Sequence, residues 1–189
     1  MSGYLVTNDE AAKNGIVALL KAIGEDPSRE GLLDTPKRVV KAYKEMTEGY
    51  NTSPIEILNT TFEVGNVDEM VILRNIDFVS LCEHHLLPFT GTATVAYVPM
   101  PNGRVVGLSK LARLVDCFSR RLQVQERLTT QITTALDKHL DTLGSACLVR
   151  ASHSCMSCRG VRKTGEMVTS SLTGIFREAE ARAEFLSLA

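Results

Sequence analysis

Cys82-Glu83-His84-His85 and His153-Ser154-Cys155 hold three of the chain's four histidines and two of its five cysteines. Cys82 and His85 stand in a C-x-x-H relation, a spacing at which one turn presents a thiolate and an imidazole to a single tetrahedral ion. His153 and Cys155 are two residues apart, so on a strand both face the same side. Three ligands, Cys82, His85 and Cys155, leave a fourth position open, as catalytic zinc sites do, with His84 and His153 free to move protons beside it. Cys158 keeps a second pattern open. Cys155-x-x-Cys158 is also a zinc spacing, and Cys82, His85, Cys155 and Cys158 together would close a structural site. On a strand Cys158 faces away from Cys155, although Gly160 offers a turn nearby. Spacing alone leaves catalytic zinc, structural zinc and no metal all open.

The elements that must position these residues belong to a chain of 189 residues, 44% hydrophobic and 23% charged. That length suits one domain with a sizeable core, with or without an N-terminal helical extension. A net charge of -1 argues against coating nucleic acid or an anionic membrane, so a bound anion must meet a local cluster of cations. No signal-peptide pattern opens the chain and no apolar run reaches membrane-span length, so we expect a cytoplasmic protein with no membrane partner. An odd number of cysteines in a reducing compartment suits ligands and buried thiols, among them Cys117 and Cys147, better than a disulfide framework.

Thr7-Asn8-Asp9-Glu10 reads as a capping box for a first helix that Gly24 stops, and Asp34-Thr35-Pro36 as the start of a second that Gly49 ends. The period then changes to two. We expect strands over 57–64, 70–79 and 90–98, with Gly65-Asn66 as a turn. Cys82 to His85 therefore fall in a connection between two strands, where a rigid frame can present them. Ser109 is expected to cap a helix carrying Leu111, Leu114, Val115 and Phe118. A longer helix follows from Val124 to Leu140, closed by Gly144. The next strand puts Cys147, Val149, Ala151, His153 and Cys155 on one face; a strand over 167–176 and a terminal helix follow. The order implies an α+β fold, a small antiparallel sheet packed against helices, with open edges suited to pairing with another chain.

Several stretches together resemble GTP cyclohydrolase I of the zinc-dependent type, from about Gly24 to Leu188. They are Gly31 to Arg38, Leu81 to His85, Gly107 to Leu111, Gln123 to Leu128, and His153-Ser154-Cys155 through Arg159-Gly160-Val161. The resemblance implies the tunnelling fold, in which small sheets of neighbouring subunits join into a barrel in a ring-shaped homo-oligomer, a decamer. We expect an N-terminal helical extension over residues 1–50 and a tunnelling-fold catalytic domain over 51–189. The resemblance also implies hydrolytic opening of the imidazole ring of GTP, release of formate and reclosure to 7,8-dihydroneopterin triphosphate. Zinc ligands carry over onto Cys82, His85 and Cys155, and proton-transfer residues onto His84 and His153, with Ser109 as a hydroxyl partner. The guanine-binding pair falls on Gln125 and Glu126, and triphosphate and ribose contacts on Ser109, Lys110, Arg113, Arg159 and Arg38. Cys158 matches no ligand position of the family. The competing readings are a non-catalytic zinc-stabilised interaction protein, a related enzyme on another purine or pterin, and a redox protein using Cys155-x-x-Cys158. The last lacks a thioredoxin-like setting.

Overall fold

A computed structural model describes residues 9–63, 65, 67, 69–101 and 103–189. The chain divides into two compact units, Met1–Thr47 and Glu48–Ala189. In the first, α1 (Asp9–Ala22) packs on α2 (Thr35–Met46), and Lys44 of α2 pairs with Asp9 at 2.6 Å. Gly24, at φ 88°, takes the left-handed conformation that ends the first helix. Thr7 and Asn8 of the expected capping box lie outside the described residues. α2 starts where Pro36 predicts, yet Asp34 makes no side-chain cap and instead holds Arg38 at 3.2 Å. The second helix ends at Met46, before Gly49.

The second unit is α+β, as its period changes imply. The five-stranded sheet has the order β5-β2-β3-β6-β7. Its strands are β2 (Val71–Cys82), β3 (Pro88–Pro99), β5 (Leu122–Gln123), β6 (Thr142–His153) and β7 (Met167–Leu172). Pairing is antiparallel throughout except for β5, which runs parallel to β2. A small second sheet joins β1 (Thr61–Glu63) to β4 (Arg104–Val106).

Several boundaries differ from expectation for local reasons. The run expected as one strand over 57–64 begins as a helix, α3 (Pro54–Leu58), because Pro54 presets the first helical φ and Leu58 is driven inward, fully buried. Val64 and Asn66 lie outside the described residues. α4 (Leu108–Ser119) is capped by Gly107, so Ser109 lies inside the first turn rather than at the cap. α5 (Gln125–His139) stops before Gly144, which instead lies within β6. A Cβ there would come within 2.5 Å of the Thr173 carbonyl, so the glycine serves a close backbone approach. Cys155 is not on the strand. β6 ends at His153 and the short α6 (Ser154–Ser157) carries the thiol. After β7 the chain tightens into a 3-10 turn, Gly174–Arg177, before α7 (Ala179–Leu188).

The core lies on both faces of the sheet. On one, Leu111, Leu114, Val115 and Phe118 of α4 and Leu128, Ile132 and Leu136 of α5 pack on Phe78, Phe89, Val95, Cys147, Val149 and Ala151. On the other, Ala146 and Leu148 meet Phe176 and Phe185. Each buried leucine contributes about 1.5–3 kcal/mol by leaving water. The alternation along β6 is the period-two pattern predicted, and its α5-facing side leads from Cys147 to His153. Among the described residues no helix is long and apolar enough to cross a membrane.

Candidate metal centre and active site

Cys82 is the last residue of β2 and is 7% exposed. Its N–H donates to the Leu87 carbonyl at 2.9 Å, while its own carbonyl accepts from the amides of His85 at 3.3 Å and Leu86 at 2.8 Å. The connection is thus one tight turn, closed by Leu86 at φ 56°. That turn puts His85 Nδ1 3.8 Å from Cys82 Sγ, as the C-x-x-H spacing suggests. The turn of α6 brings Cys155 to them, and donor atoms of Cys82, His85 and Cys155 all lie within 4.8 Å of one another. Among the described residues this group alone gathers its donors closely enough to hold a metal ion. Cys158 caps α6, is exposed, and stays outside the group. Burial, then a hydrogen bond with the Cys82 sulfur, raise the pKa of the Cys155 thiol.

His153 ends β6 opposite Phe89 on β3, and their rings stack at 4.5 Å with 4° between planes. Its Nε2 lies 2.8 Å from Oε1 of Gln125, the first residue of α5. Gln125 is 1% exposed, and its amide nitrogen is shared among the carbonyls of Val149 and Met167 and the Thr169 hydroxyl. Glu126, next along the helix, is exposed. Burial lowers the pKa of His153, and the charge of Glu126 works in the opposite direction.

His84 is exposed, with Nδ1 3.9 Å from Cys82 Sγ. Between them Glu83 takes a two-pronged ion pair from Arg127 of α5, at 2.5 and 3.0 Å, which holds its carboxylate below the usual pKa range. Glu83 N–H also donates to the Gln123 carbonyl at 3.0 Å, so α5 and β5 both grip this turn. Arg159 reaches the same turn, 3.4 Å from His85 Nε2.

The residues Cys82, His84, His85, Gln125, Glu126, His153, Cys155 and Arg159 therefore meet at one end of the sheet. Ser109, Lys110 and Arg113 sit on α4, and among the described residues no hydrogen bond or ion pair ties their side chains to this cluster. Arg113 lines a separate cavity with Glu48, Asp116 and Arg120. Arg38 belongs to the first unit, where it pairs with Asp34. Two contributors were missed. Phe89 supports His153 from the neighbouring strand, and Arg127 anchors Glu83; Arg127 lies within the Gln123 to Leu128 stretch, but nothing in spacing alone distinguishes it.

A family model described as GTP cyclohydrolase I matches residues 12–189. The GTP cyclohydrolase 1 of Synechococcus sp. (strain JA-2-3B'a(2-13)) is 54% identical over 184 residues, covering 96% of this chain and 79% of its own. That of Streptomyces avermitilis is 49% identical over 182 residues, covering 96% and 90%. That of Dehalococcoides mccartyi (strain CBDB1) is 48% identical over 183 residues, covering 96% of each. A solved structure of the archaeosine synthase QueF-Like in the apo form overlaps 54% of this chain and 92% of its own, at TM-score 0.42 and 18% identity, a likeness too slight to weigh. The match over nearly the whole chain, at about half identity to several relatives, is decisive: the chain belongs to the GTP cyclohydrolase I family.

Proposed function

We propose that the protein is a zinc-dependent GTP cyclohydrolase I, which opens the imidazole ring of GTP, releases formate and recloses the product as 7,8-dihydroneopterin triphosphate. The observation that carries this reading is the convergence of Cys82, His85 and Cys155 beside His153, in a chain from this family. Two thiolates and an imidazole are a zinc donor set. Tetrahedral bonds of about 2.0–2.3 Å put neighbouring donors about 3.6 Å apart, close to the 3.8 Å between Cys82 Sγ and His85 Nδ1. When bound, zinc lowers the pKa of water towards about 7 and so supplies a nucleophile near neutral pH.

The chain's own residues do the rest. His153 gives a proton to the ring nitrogen that gathers electrons as the carbon between the two ring nitrogens is attacked. His84, exposed beside the metal turn, serves the later opening and rearrangement of the ribose, with the Ser109 hydroxyl as partner. The Glu126 carboxylate accepts the paired N–H donors on the guanine edge. Because the Gln125 side chain is engaged inside the protein, its share in binding the base falls to its backbone. Lys110, Arg113, Arg159 and Arg38 meet the triphosphate, the arginines with planar paired donors.

Strand edges support an assembly. β7 is an edge strand and β5 covers only the last two residues of β2, so both borders of the sheet are available to neighbours. We infer a ring-shaped homo-oligomer, a decamer, in which α4 of one chain completes the site of the next. We further read residues 51–189 as the catalytic domain, 1–50 as an extension, and the protein as cytoplasmic. The test is to incubate the purified protein with GTP and follow formate and, after oxidation, fluorescent pterin. Equal amounts of both are expected. Neither product from metal-loaded protein would favour a non-catalytic zinc protein, and release from another purine alone would favour a related enzyme.

A further inference from the structure

Gln125 makes hydrogen bonds that only one setting of its amide satisfies. Its side-chain nitrogen lies 3.1 Å from the Val149 carbonyl and 2.9 Å from that of Met167, with the Thr169 hydroxyl at 3.2 Å. Carbonyl oxygens only accept, so this end of the amide is the NH2 group and the other end is the oxygen. That oxygen stands 2.8 Å from His153 Nε2. An amide oxygen has no proton to give, so the hydrogen between them belongs to the imidazole. Neutral His153 then carries its hydrogen on Nε2 and its lone pair on Nδ1. Phe89, stacked on the ring at 4.5 Å, fixes the plane as well.

We propose that Gln125 is a positioning residue that locks His153 in the Nε2–H tautomer, so that Nδ1 is the nitrogen through which His153 exchanges protons with the substrate. This rests on the reading of the chain as a GTP cyclohydrolase I. In the donating step the Nδ1–H bond of the imidazolium breaks, its electron pair stays on Nδ1, and the lone pair of the substrate's ring nitrogen takes the proton. A solvent proton then restores Nδ1–H. The Nε2–H bond to Gln125 persists in both states, so the ring need not turn between them. A neutral amide orients the ring without the charge by which a carboxylate would hold the imidazolium back from giving up its proton. The amide is anchored on β6 by Val149 and on β7 by Met167 and Thr169, so the edge strand shares in holding a proton-transfer group.

Solid-state 15N NMR of the zinc-loaded protein with labelled histidine, read where the rings are neutral, tests the lock. The His153 signals are assigned by their loss in His153→Ala. We expect a protonated Nε2 and an unprotonated Nδ1 in the wild type. In Gln125→Met, of similar length but without an acceptor, both tautomers should appear, and kcat should fall about 10–100-fold with KM for GTP unchanged. A wild type protonated at Nδ1 overturns the proposal whether or not the variant folds. So does Gln125→Met with an unchanged tautomer and kcat. A locked wild type that turns over no GTP would uphold the lock and refute the activity instead.

Discussion

Replacing Phe89 by leucine separates what the ring does for the core from what it does for His153. Phe89 is 1% exposed, meets Phe78 edge-on at 5.9 Å and 79°, and lies flat on His153 at 4.5 Å. Each ring pair is worth about 0.5–1.5 kcal/mol beyond the area buried, the histidine pair counted on the same scale. Exchanging one large apolar side chain for a smaller one adds about 1 kcal/mol. The loss is about 2–4 kcal/mol, a large share of the roughly 5–15 kcal/mol of a typical domain, and lowers the melting temperature by about 5–15 °C for this chain length. Urea unfolding at one fixed, saturating zinc concentration measures it, since a bound ligand shifts apparent stability. Turnover is measured well below the variant's unfolding range. There kcat should drop about tenfold, with zinc content and KM unchanged, because the His153 ring has lost the support of one face. Wild-type kcat in a variant destabilised as expected would show that Phe89 fills the core without steering the histidine.

Cys82→Ser, His85→Ala and Cys155→Ser should each lose metal and turnover, whereas Cys158→Ser should keep both; metal analysis showing loss in Cys158→Ser would make that thiol a ligand. Glu126→Gln should weaken preference for guanine, while Arg159→Ala should chiefly raise KM for GTP, and equal GTP and guanosine binding before and after Arg159→Ala would remove it from the phosphate site. At Gly91 a Cβ would sit 1.9 Å from the Arg150 carbonyl oxygen. Gly91→Ala should therefore push β6 from β3, cost about 2 kcal/mol and reduce turnover through His153, and an unchanged unfolding midpoint would count against that close approach. Light scattering should report a large ring assembly; a fully active monomer would contradict shared sites.

The periods of two and 3.6 made most of the second unit legible, because β6 and the helices α4 and α5 each carry a largely apolar face, although that of α5 also buries Gln125, Thr129 and Thr133. Cys155 shows where such reasoning stops. The strand period placed it beside His153, and the structure brings it to the metal group by a helical turn instead, since a side chain two residues on can reach one point by either route. Ser109 and Gly144 were misread because a hydroxyl near a helix start and a glycine after a helix carry general cap signals, while the actual choices depend on Gly107 and on the approach of Thr173. Gln125 was legible as part of a motif but not in its contacts. Its partners lie 24 to 44 residues away on two strands, and only the sheet brings them to its amide.

The most direct measurement is a zinc titration of chelator-stripped protein, with bound metal and GTP turnover read on the same sample. Turnover should rise in proportion to bound zinc and level off at about one ion per chain, the stoichiometry of a single three-ligand catalytic site. Full activity without metal, or zinc held at one per chain with no formate or pterin formed from GTP, would contradict a catalytic centre built on Cys82, His85 and Cys155.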